Sequence, residues 1–337
     1  MAEPAERGAS RLPMDESREH LMVRIARMTY QQDRTLTQIA AETGLNRWQV
    51  SRLLAEARDQ GIVRIEIVPR TLRHPDLESR LSRRFGLRDA VVVPGSAGSD
   101  AAGHVAAGQG GESVAQAAAQ YLAAMRPLPA LIGVSWGRTM AAVAHWLAPD
   151  WAEGVTVVQI NGTVAPAPGA AHRYDVAETF ARKGPGRMIP LPVPAIVGAS
   201  LTREVLEQDR IVADVLALAR AAPVLVFSLG AAGPDSALLH SGNVTDAEMA
   251  ALLRAGAVGD VLGRFIDCHG RIADPVLDAR TIGLSLPELR GRDRAIAVAS
   301  GAAKHDVTLG ALRAGLVNIL VTDEATATFA LEHADDR

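Results

Sequence analysis

The sequence predicts an α/β protein in which a small helical head precedes a larger doubly wound, mostly parallel sheet. In residues 76–337, short uninterrupted apolar runs alternate with helical segments, as is typical of strands covered by helices on both faces. Residues 15–69 contain three short helical segments and then an alternating strand, the pattern of a winged helix-turn-helix. The length of 337 residues, with 48% hydrophobic and 22% charged residues, suits a globular chain of two domains.

The composition excludes several other classes of protein. Cys268 is the single cysteine, so neither an internal disulfide nor a metal site built on paired cysteines is expected. The histidines lack the paired spacing of metal ligands, and we predict neither a metal nor a cofactor. No apolar run approaches the ~20 residues that cross a bilayer, and Met1–Pro13 lack the apolar core of a signal peptide. We therefore expect a cytoplasmic protein without a membrane segment, in which residues 1–14 are disordered.

Charge is distributed unevenly along the chain. Residues 18–73 hold ten arginines against six acidic residues, whereas the whole chain has a formal net charge of −3. A basic segment before an acidic remainder indicates a nucleic-acid-binding head on a body that does not bind nucleic acid.

The head has clear helix boundaries. A first helix is predicted over residues 15–31, and Thr35 is a candidate N-cap of a short second helix that ends at Gly44. Asn46 is a candidate N-cap of a third helix. The segment Ile62–Val68 then alternates between apolar and charged residues, which predicts a half-buried strand that forms the wing.

The third helix carries polar side chains suited to DNA. Arginine and glutamine can hydrogen-bond base edges in the major groove, serine suits phosphate, and the first turn of a recognition helix is where such contacts occur. The predicted DNA-binding residues are Arg47, Trp48, Gln49, Ser51 and Arg52. For Trp48, packing within the head is the commoner role of a lone aromatic side chain, and contact with DNA is the alternative. For the whole set, the alternative is an ordinary solvated helix face.

The body alternates between strands and helices to its end. Strands are predicted at residues 90–93, 131–134, 155–160, 224–228, 261–266, 295–299 and 317–321. Helices are predicted at residues 76–85, 105–125, 139–147, 174–182, 209–221, 245–254, 303–313 and 324–331. Ligands in doubly wound folds bind outside the carboxyl ends of the strands, so the residues that follow the strands are the candidates for a site.

The segment Gly133–Thr139 is the sharpest local signal, and three interpretations remain for it. It matches the G-x-S-x-G elbow of a hydrolase, with Ser135 as nucleophile. It also suits an anion cradle, in which Gly137 lets the backbone approach while Arg138 and Thr139 add hydrogen-bond donors. The third interpretation is a tight turn without a ligand. The cradle is favoured because a phosphate would use the arginine and threonine, whereas a nucleophile would not.

Other strand ends contribute further candidate ligand-binding residues. They are Asn161 and Thr163 after one strand, Asp175 before a helix, Asp260 at a glycine-flanked turn and Lys304 after small residues. Asparagine, threonine and aspartate can bond sugar hydroxyls, although each can equally serve a turn or a helix start. Lysine at the start of a helix opposes the helix dipole unless an anion lies nearby. The only other lysine, Lys183, is interpreted as a surface residue.

Three segments resemble the SorC/DeoR-type bacterial regulators, which respond to sugars. The segment TLTQIAAETGLNRWQVSRLLAEARDQGIVRIEIVP (Thr35–Pro69) resembles their DNA-binding head. The segments GVSWGRTMAAVAHWL and SGAAKHDVTLGALRAGLVNILVTDEATA resemble parts of their effector domain. The resemblance implies a fold like that of sugar-phosphate isomerases and deaminases, a phosphate-binding turn at Gly133–Thr139 and a typically tetrameric assembly. It also implies that Asp260 and the strand end at Asn161 line a ligand pocket.

The sequence therefore predicts a DNA-binding transcriptional regulator. Residues 15–69 form the winged helix-turn-helix, 70–75 a linker and 76–337 the effector domain. A phosphorylated sugar or related polyol in the effector domain is expected to control the affinity for operator DNA, without a chemical reaction. A homodimer or homotetramer is expected, because paired recognition helices must match paired half-sites. The alternative is an enzyme with an accessory head, either a serine hydrolase acting through Ser135 or a sugar-phosphate isomerase.

Overall fold

The computed structural model describes residues 16–63, 73–95, 109–164 and 176–335. The chain divides into two compact units, the first up to Arg70 and the second from Thr71 onward. Within the described residues, no helix is long and apolar enough to cross a membrane.

The first unit contains the three predicted helices, α1 (Glu16–Tyr30), α2 (Leu36–Thr43) and α3 (Arg47–Asp59). The predicted caps of α2 and α3 are confirmed, because the Thr35 and Asn46 side chains accept hydrogen bonds from the backbone amides of Gln38 and Gln49. Gly44 ends α2 in the left-handed conformation, with φ of 70°. The three helices enclose a small core of buried residues that includes Ile25, Ile39, Val50, Leu53 and Leu54.

The predicted wing is only partly described. Ile62 and Val63, where the strand was expected to begin, form a bend and pack against the helical core. The remainder of the predicted wing, residues 64–68, lies outside the described residues, as do residues 1–14 of the N-terminus and residues 70–72 of the predicted linker.

The second unit is built on one mixed sheet. Its strands are β1 (Asp89–Val93), β2 (Leu131–Val134), β3 (Thr156–Gln159), β4 (Arg187–Ile189), β5 (Val224–Ala231), β6 (Gly259–Val261), β7 (Arg264–Ile266), β8 (Arg294–Val298) and β9 (Ile319–Asp323). Seven of them run parallel in the order β1-β9-β8-β5-β2-β3-β4. The strands β6 and β7 form an antiparallel extension from the carboxyl end of β5.

Helices surround this sheet. They are α4 (Pro75–Phe85), α5 (Gln109–Ala124), α6 (Arg138–Trp146), α7 (Val176–Lys183), α8 (Ser200–Gln208), α9 (Arg210–Ala221), α10 (Ala237–His240), α11 (Asp246–Arg254), α12 (Pro275–Asp278), α13 (Leu286–Leu289), α14 (His305–Arg313) and α15 (Glu324–Glu332). A 3₁₀ turn, Ala302–Lys304, precedes α14.

Two large hydrophobic cores cover the two faces of the sheet. In β1, Val92 belongs to one core, whereas Val91 and Val93 belong to the other. In β5, Leu225 and Val226 divide in the same way. Continuous apolar runs are therefore required, because side chains on both faces of each strand are buried. The predicted doubly wound, mostly parallel α/β fold is confirmed.

The prediction of a single strand over residues 261–266 is wrong. The chain forms the hairpin of β6 and β7 there, with Val261 opposite Arg264 and a two-residue turn at Leu262 and Gly263. Both turn residues have positive φ, 57° and 87°, as the mirror-image turns of tight hairpins require. Apolar residues at most positions of the segment made it resemble one continuous strand.

The sequence did not indicate β4 or α8. The strand β4 has only three residues, too few for a recognisable alternation, and α8 is a short helix without a buried residue. The interpretation of Lys183 as a surface residue also needs correction. The residue is only partly exposed, and its ammonium donates hydrogen bonds to the carbonyl oxygens of His145 and Leu147 at the end of α6. The helix dipole favours a cation at that position, so Lys183 stabilises the end of α6.

Candidate functional site

Four neighbouring parallel strands, in the order β8-β5-β2-β3, end at the same edge of the sheet. The segment after β2 leads into α6, Asn161 follows β3, and the segment after β8 leads to Lys304. Asp260 joins them because β6 pairs with the last residues of β5, where Asp260 lies opposite Gly230. The fold therefore brings together at one edge candidates that are up to 169 residues apart in the chain, from Ser135 to Lys304.

Lys304 is the central cation of this edge. Its Nζ donates a hydrogen bond of 3.0 Å to Thr139 Oγ1, which links the turn before α14 to the first turn of α6. Burial of the amine lowers the pKa of Lys304 to about 8, while Asp260 acts to raise it and Arg138 to lower it. An amine with this pKa is still charged at neutral pH but lacks most of its water, which favours an anionic partner.

Asp260 is the buried carboxylate that faces this lysine. The residue is 8% exposed, and its Oδ2 accepts a hydrogen bond of 2.8 Å from the backbone amide of Gly263. Burial raises the pKa of Asp260 to about 6, although the Gly263 amide and Lys304 both act to lower it. Gly230 leaves room for the carboxylate, since a Cβ at this position would lie 1.9 Å from Asp260 Oδ1.

The turn before α6 has the shape of an anion cradle. Gly137 is the N-cap of α6 with φ of 128°, and it offers no side chain to cap the first amides of the helix. Arg138 is exposed, and Thr139 is partly buried beside Lys304. The charges of Arg138 and Lys304 add to the partial positive charge of the helix start, and the Thr139 hydroxyl adds a donor, so the turn favours a negatively charged ligand.

Ser135 lies in this turn without the partners of a nucleophile. The residue is 3% exposed, its Oγ lies 3.3 Å from the carbonyl oxygen of Trp136, and it accepts a hydrogen bond from the amide of Ser228. These partners are backbone groups, whereas an activated serine needs a general base within hydrogen-bond reach. The geometry favours a structural hydroxyl over a nucleophile.

Asn161 presents an unpaired polar atom at the end of β3. The residue is 2% exposed, and its Oδ1 is buried without a hydrogen-bond partner among the described residues. A buried polar atom of this kind costs free energy unless a water or ligand bonds it. Thr163 is different, because its hydroxyl is exposed and already donates to the carbonyl oxygen of Leu191. Asp175 lies outside the described residues.

Sequence reasoning missed residues that shape this edge, among them Trp136 and Asp323. The indole of Trp136 donates a hydrogen bond of 2.7 Å to the carbonyl oxygen of Gly162, which ties the turn after β2 to the end of β3. The buried Asp323 caps α15 and accepts a hydrogen bond of 2.8 Å from the amide of Gly301, which holds the segment before Lys304. An aspartate between an apolar run and a helix was the available signal for Asp323, whereas the sequence pattern held none for Trp136.

The predicted DNA-binding face lies on α3 of the first unit. Arg47, Trp48, Ser51 and Arg52 are exposed there. The sequence favoured packing of Trp48 within the head, and this interpretation is wrong. The side chain is 69% exposed, and the Arg52 guanidinium lies 5.5 Å from the ring centroid. The reason is its position in the first turn of α3, on the side opposite the core residue Val50. Gln49 is partly buried, and its side chain accepts from the amide of Asn46 in the capping box.

Acidic, histidine and cysteine side chains form no cluster in the described ranges that could hold a metal ion.

The two units together indicate the class of ligand-responsive regulators. The first is a helix-turn-helix with an exposed helix that carries arginines, and the second is a doubly wound sheet with cations at its carboxyl edge.

Known proteins place the chain within that class. Residues 70–332 match the family described as "Putative sugar-binding domain", and the chain belongs to this family. The Deoxyribonucleoside regulator of Bacillus subtilis (strain 168) is 31% identical over 314 residues, which cover 93% of this chain and 98% of the relative. The Sorbitol operon regulator of Klebsiella pneumoniae is 29% identical over 317 residues, which cover 93% and 98% of the two chains.

A solved structure agrees in fold. The crystal structure of the full-length sorbitol operon regulator SorC from Klebsiella pneumoniae aligns with a TM-score of 0.71 and 29% identity, over 95% of this chain and 100% of that chain. The chain is thus a transcriptional regulator with a sugar-binding domain, as the resemblance predicted. The alternative of an enzyme with an accessory head has no support, because these relatives are named regulators.

Proposed function

We propose that this regulator binds operator DNA through α3 and that a phosphorylated sugar or related polyol, bound at the carboxyl edge of the sheet, controls its affinity for DNA. The observation that carries the proposal is the contact between Lys304 and Thr139, which places a desolvated ammonium beside the uncapped start of α6. Both features attract the same kind of group, an anion.

The phosphate would lie at the start of α6. The first backbone amides of the helix, the Thr139 hydroxyl, Lys304 and Arg138 can all donate hydrogen bonds to phosphate oxygens. The unfavourable burial of the Lys304 charge would be offset by the negative charge of the phosphate.

The hydroxyl groups of the sugar would contact the other part of the carboxyl edge, away from the start of α6. Asp260 is a carboxylate with one oxygen bonded to Gly263, and Asn161 has a buried oxygen without a partner. Carboxylate and amide oxygens accept hydrogen bonds from hydroxyl groups, so these two residues are suited to a polyol. The names of the relatives, which refer to sorbitol and to deoxyribonucleosides, support a ligand of the carbohydrate type.

Binding of DNA is assigned to the exposed face of α3. Arg47 and Arg52 would contact base edges or phosphates in the major groove, with Ser51 and Trp48 beside them. A homodimer or homotetramer would present two such helices to paired half-sites, with the protein acting in the cytoplasm.

The binding of operator DNA and the binding of the effector would be thermodynamically linked. If the effector binds one state of the regulator more tightly, that state is favoured, and the affinity for DNA changes by the same coupling free energy.

A ligand panel tests the proposal. Purified protein is heated with inorganic phosphate, ribose 5-phosphate, glucose 6-phosphate, fructose 6-phosphate and the corresponding free sugars, and the melting temperature is recorded. At least one phosphorylated member should raise the melting temperature and also change the affinity for operator DNA, measured by fluorescence anisotropy. If no phosphorylated sugar or polyol in an extended panel stabilises the protein, the proposed effector class is wrong.

A further inference from the structure

Arg264, which no sequence pattern singled out, is a buried cation with an unusual set of partners. It lies in β7, one residue after the hairpin turn, and is 3% exposed. Its guanidinium donates to the carbonyl oxygens of Asp278, Thr281, Gly283 and Leu284, at distances of 3.0 to 3.2 Å. A further hydrogen bond of 2.5 Å joins it to Asp278 Oδ1. All of these partners belong to one short segment, residues 278–284.

The segment 278–284 is in turn bonded to the end of β3. The amide of Gly162 donates to the carbonyl oxygen of Ile282, and the amide of Leu284 donates to that of Ile160. Gly283 lies opposite Asn161 in an isolated antiparallel bridge, and a Cβ at Gly283 would lie 2.7 Å from the Cα of Asn161. The backbone position of Asn161 therefore depends on the segment that Arg264 holds.

Arg264 is also connected to Asp260 through the hairpin of β6 and β7. It lies opposite Val261 in the hairpin of β6 and β7, and β6 carries Asp260. One guanidinium thus connects the hairpin that carries Asp260 to the segment that is hydrogen-bonded to the backbone on both sides of Asn161.

From this arrangement we infer that Arg264 is a positioning residue, which sets the separation between Asn161 and Asp260 and thereby determines which pattern of hydroxyl groups the site accepts. The inference rests on the proposed function, since it concerns the hydroxyl-binding side of the same site. Arg264 itself does not face the ligand, because its donors are already occupied by the segment 278–284.

The chemistry of arginine explains why this residue type is needed. A planar guanidinium holds several acceptors in a fixed geometry, whereas a lysine ammonium is a flexible point charge with three donors. Lysine at this position would keep the charge beside Asp278 but would lose the simultaneous bonds to the four carbonyl groups. The substitution Arg264→Lys therefore separates geometry from charge.

Amide hydrogen exchange of the ligand-free protein tests the positioning directly. In Arg264→Lys, the amides of Gly162, Ile282 and Leu284 should exchange at least about tenfold faster, which is the effect expected from the loss of a hydrogen bond to a charged group. The amides of β8 and β9 should keep their wild-type rates. Unchanged exchange at Gly162 and Leu284 in a folded variant would overturn the inference.

The chain offers a matched control in Arg292. Its guanidinium also donates to backbone carbonyl oxygens, those of Glu288, Arg220 and Ala222, but at residues outside the segment 278–284 and the end of β3. Arg292→Lys should leave exchange at Gly162 and Leu284 unchanged. Should Arg264→Lys fail to fold, Asp278→Asn removes one charged partner of Arg264 and should produce the same local pattern in weaker form.

A double-mutant cycle then links Arg264 to recognition. With a sugar phosphate that stabilises the wild-type protein, Arg264→Lys and Asn161→Ala should each weaken binding about tenfold. The double variant should bind about as weakly as either single variant, because Arg264 acts through Asn161. Inorganic phosphate should bind equally to wild type and Arg264→Lys.

Multiplicative effects in that cycle would overturn the role in recognition. Failure of the wild-type protein to bind any sugar phosphate would count against the proposed function instead, and the exchange experiment, which needs no ligand, would still decide whether Arg264 positions Asn161.

Discussion

At the scale of single residues, the site is dominated by two charges that the fold removes from water. Burial lowers the pKa of Lys304 to about 8 and raises that of Asp260 to about 6. Both shifts run against the charged forms, so each group is held in the protein at a cost in stability. A ligand that brings an anion to Lys304 and hydroxyl groups to Asp260 would offset part of that cost.

The pKa of Lys304 predicts how binding depends on pH. Below about pH 8 the ammonium is charged, and above it the free protein loses this charge, so affinity for a sugar phosphate should fall by up to tenfold per pH unit. Below about pH 6, protonation of Asp260 and of the phosphate should also weaken binding. The affinity should therefore be highest between about pH 6 and 8, as isothermal titration calorimetry would measure.

Lys304→Arg is the control for this pH dependence. Arginine remains charged throughout this range, so the decline above pH 8 should disappear in the variant even if its affinity is lower. The same alkaline decline in the variant would show that another group titrates. Asp260 and Arg138 are the charged groups that act on the pKa of Lys304.

At the scale of elements, the hairpin of β6 and β7 decides where Asp260 lies. Close approach of β5 and β6 leaves no room for a side chain at Gly230, which faces the Asp260 carboxylate. Gly230→Ala should displace this carboxylate and weaken sugar-phosphate binding about tenfold, measured by calorimetry. The matched control is Gly198→Ala, since a Cβ there meets nothing within 4 Å. Equal affinity in both variants would show that Asp260 does not contribute to ligand binding.

The recognition helix α3 gives a second prediction at this scale. Arg47→Ala and Arg52→Ala should each weaken operator binding by about 5- to 100-fold, because a good bidentate contact to a base is lost. Arg58→Ala serves as the control, since Arg58 lies in the last turn of the same helix and bonds the carbonyl oxygen of Leu54. Fluorescence anisotropy measures the affinity and circular dichroism the fold. Wild-type affinity in both variants would move the DNA contact away from this face.

At the scale of the whole molecule, the uneven charge distribution predicts a strong effect of salt. The basic head would release counterions from DNA, so operator affinity should fall steeply as salt rises from 50 to 200 mM. Sugar-phosphate binding is confined to a partly buried site and should weaken much less. Anisotropy and calorimetry across the same salt series compare the two. A flat salt response of DNA binding would contradict the phosphate contacts assigned to α3.

Much of the fold could be predicted because its signals are local. The caps Thr35 and Asn46 bond amides three residues away, so neighbouring residues determine where α2 and α3 begin. The hairpin at Leu262 and Gly263 was missed because most positions of residues 261–266 are apolar, as in one continuous strand. The site was predicted only in part. The glycines that precede Asp260 and Lys304 marked these two residues in the sequence, whereas the hydrogen bonds of Trp136 to Gly162, of Asp323 to Gly301 and of Arg264 to the segment 278–284 join residues 14 to 26 positions apart.

The sequence by itself determined the two-part organisation, the helices of the head, the doubly wound class of the body and the family, because periodicity, capping residues and short motifs are local properties of a chain. Only the tertiary structure decided which strand ends meet. It placed Lys304 against Thr139, left the Asn161 oxygen without a described partner, and joined Arg264 to the segment that seats Asn161. The physical reason is that strand order and register are set by packing across the whole sheet, which no segment of the sequence specifies alone.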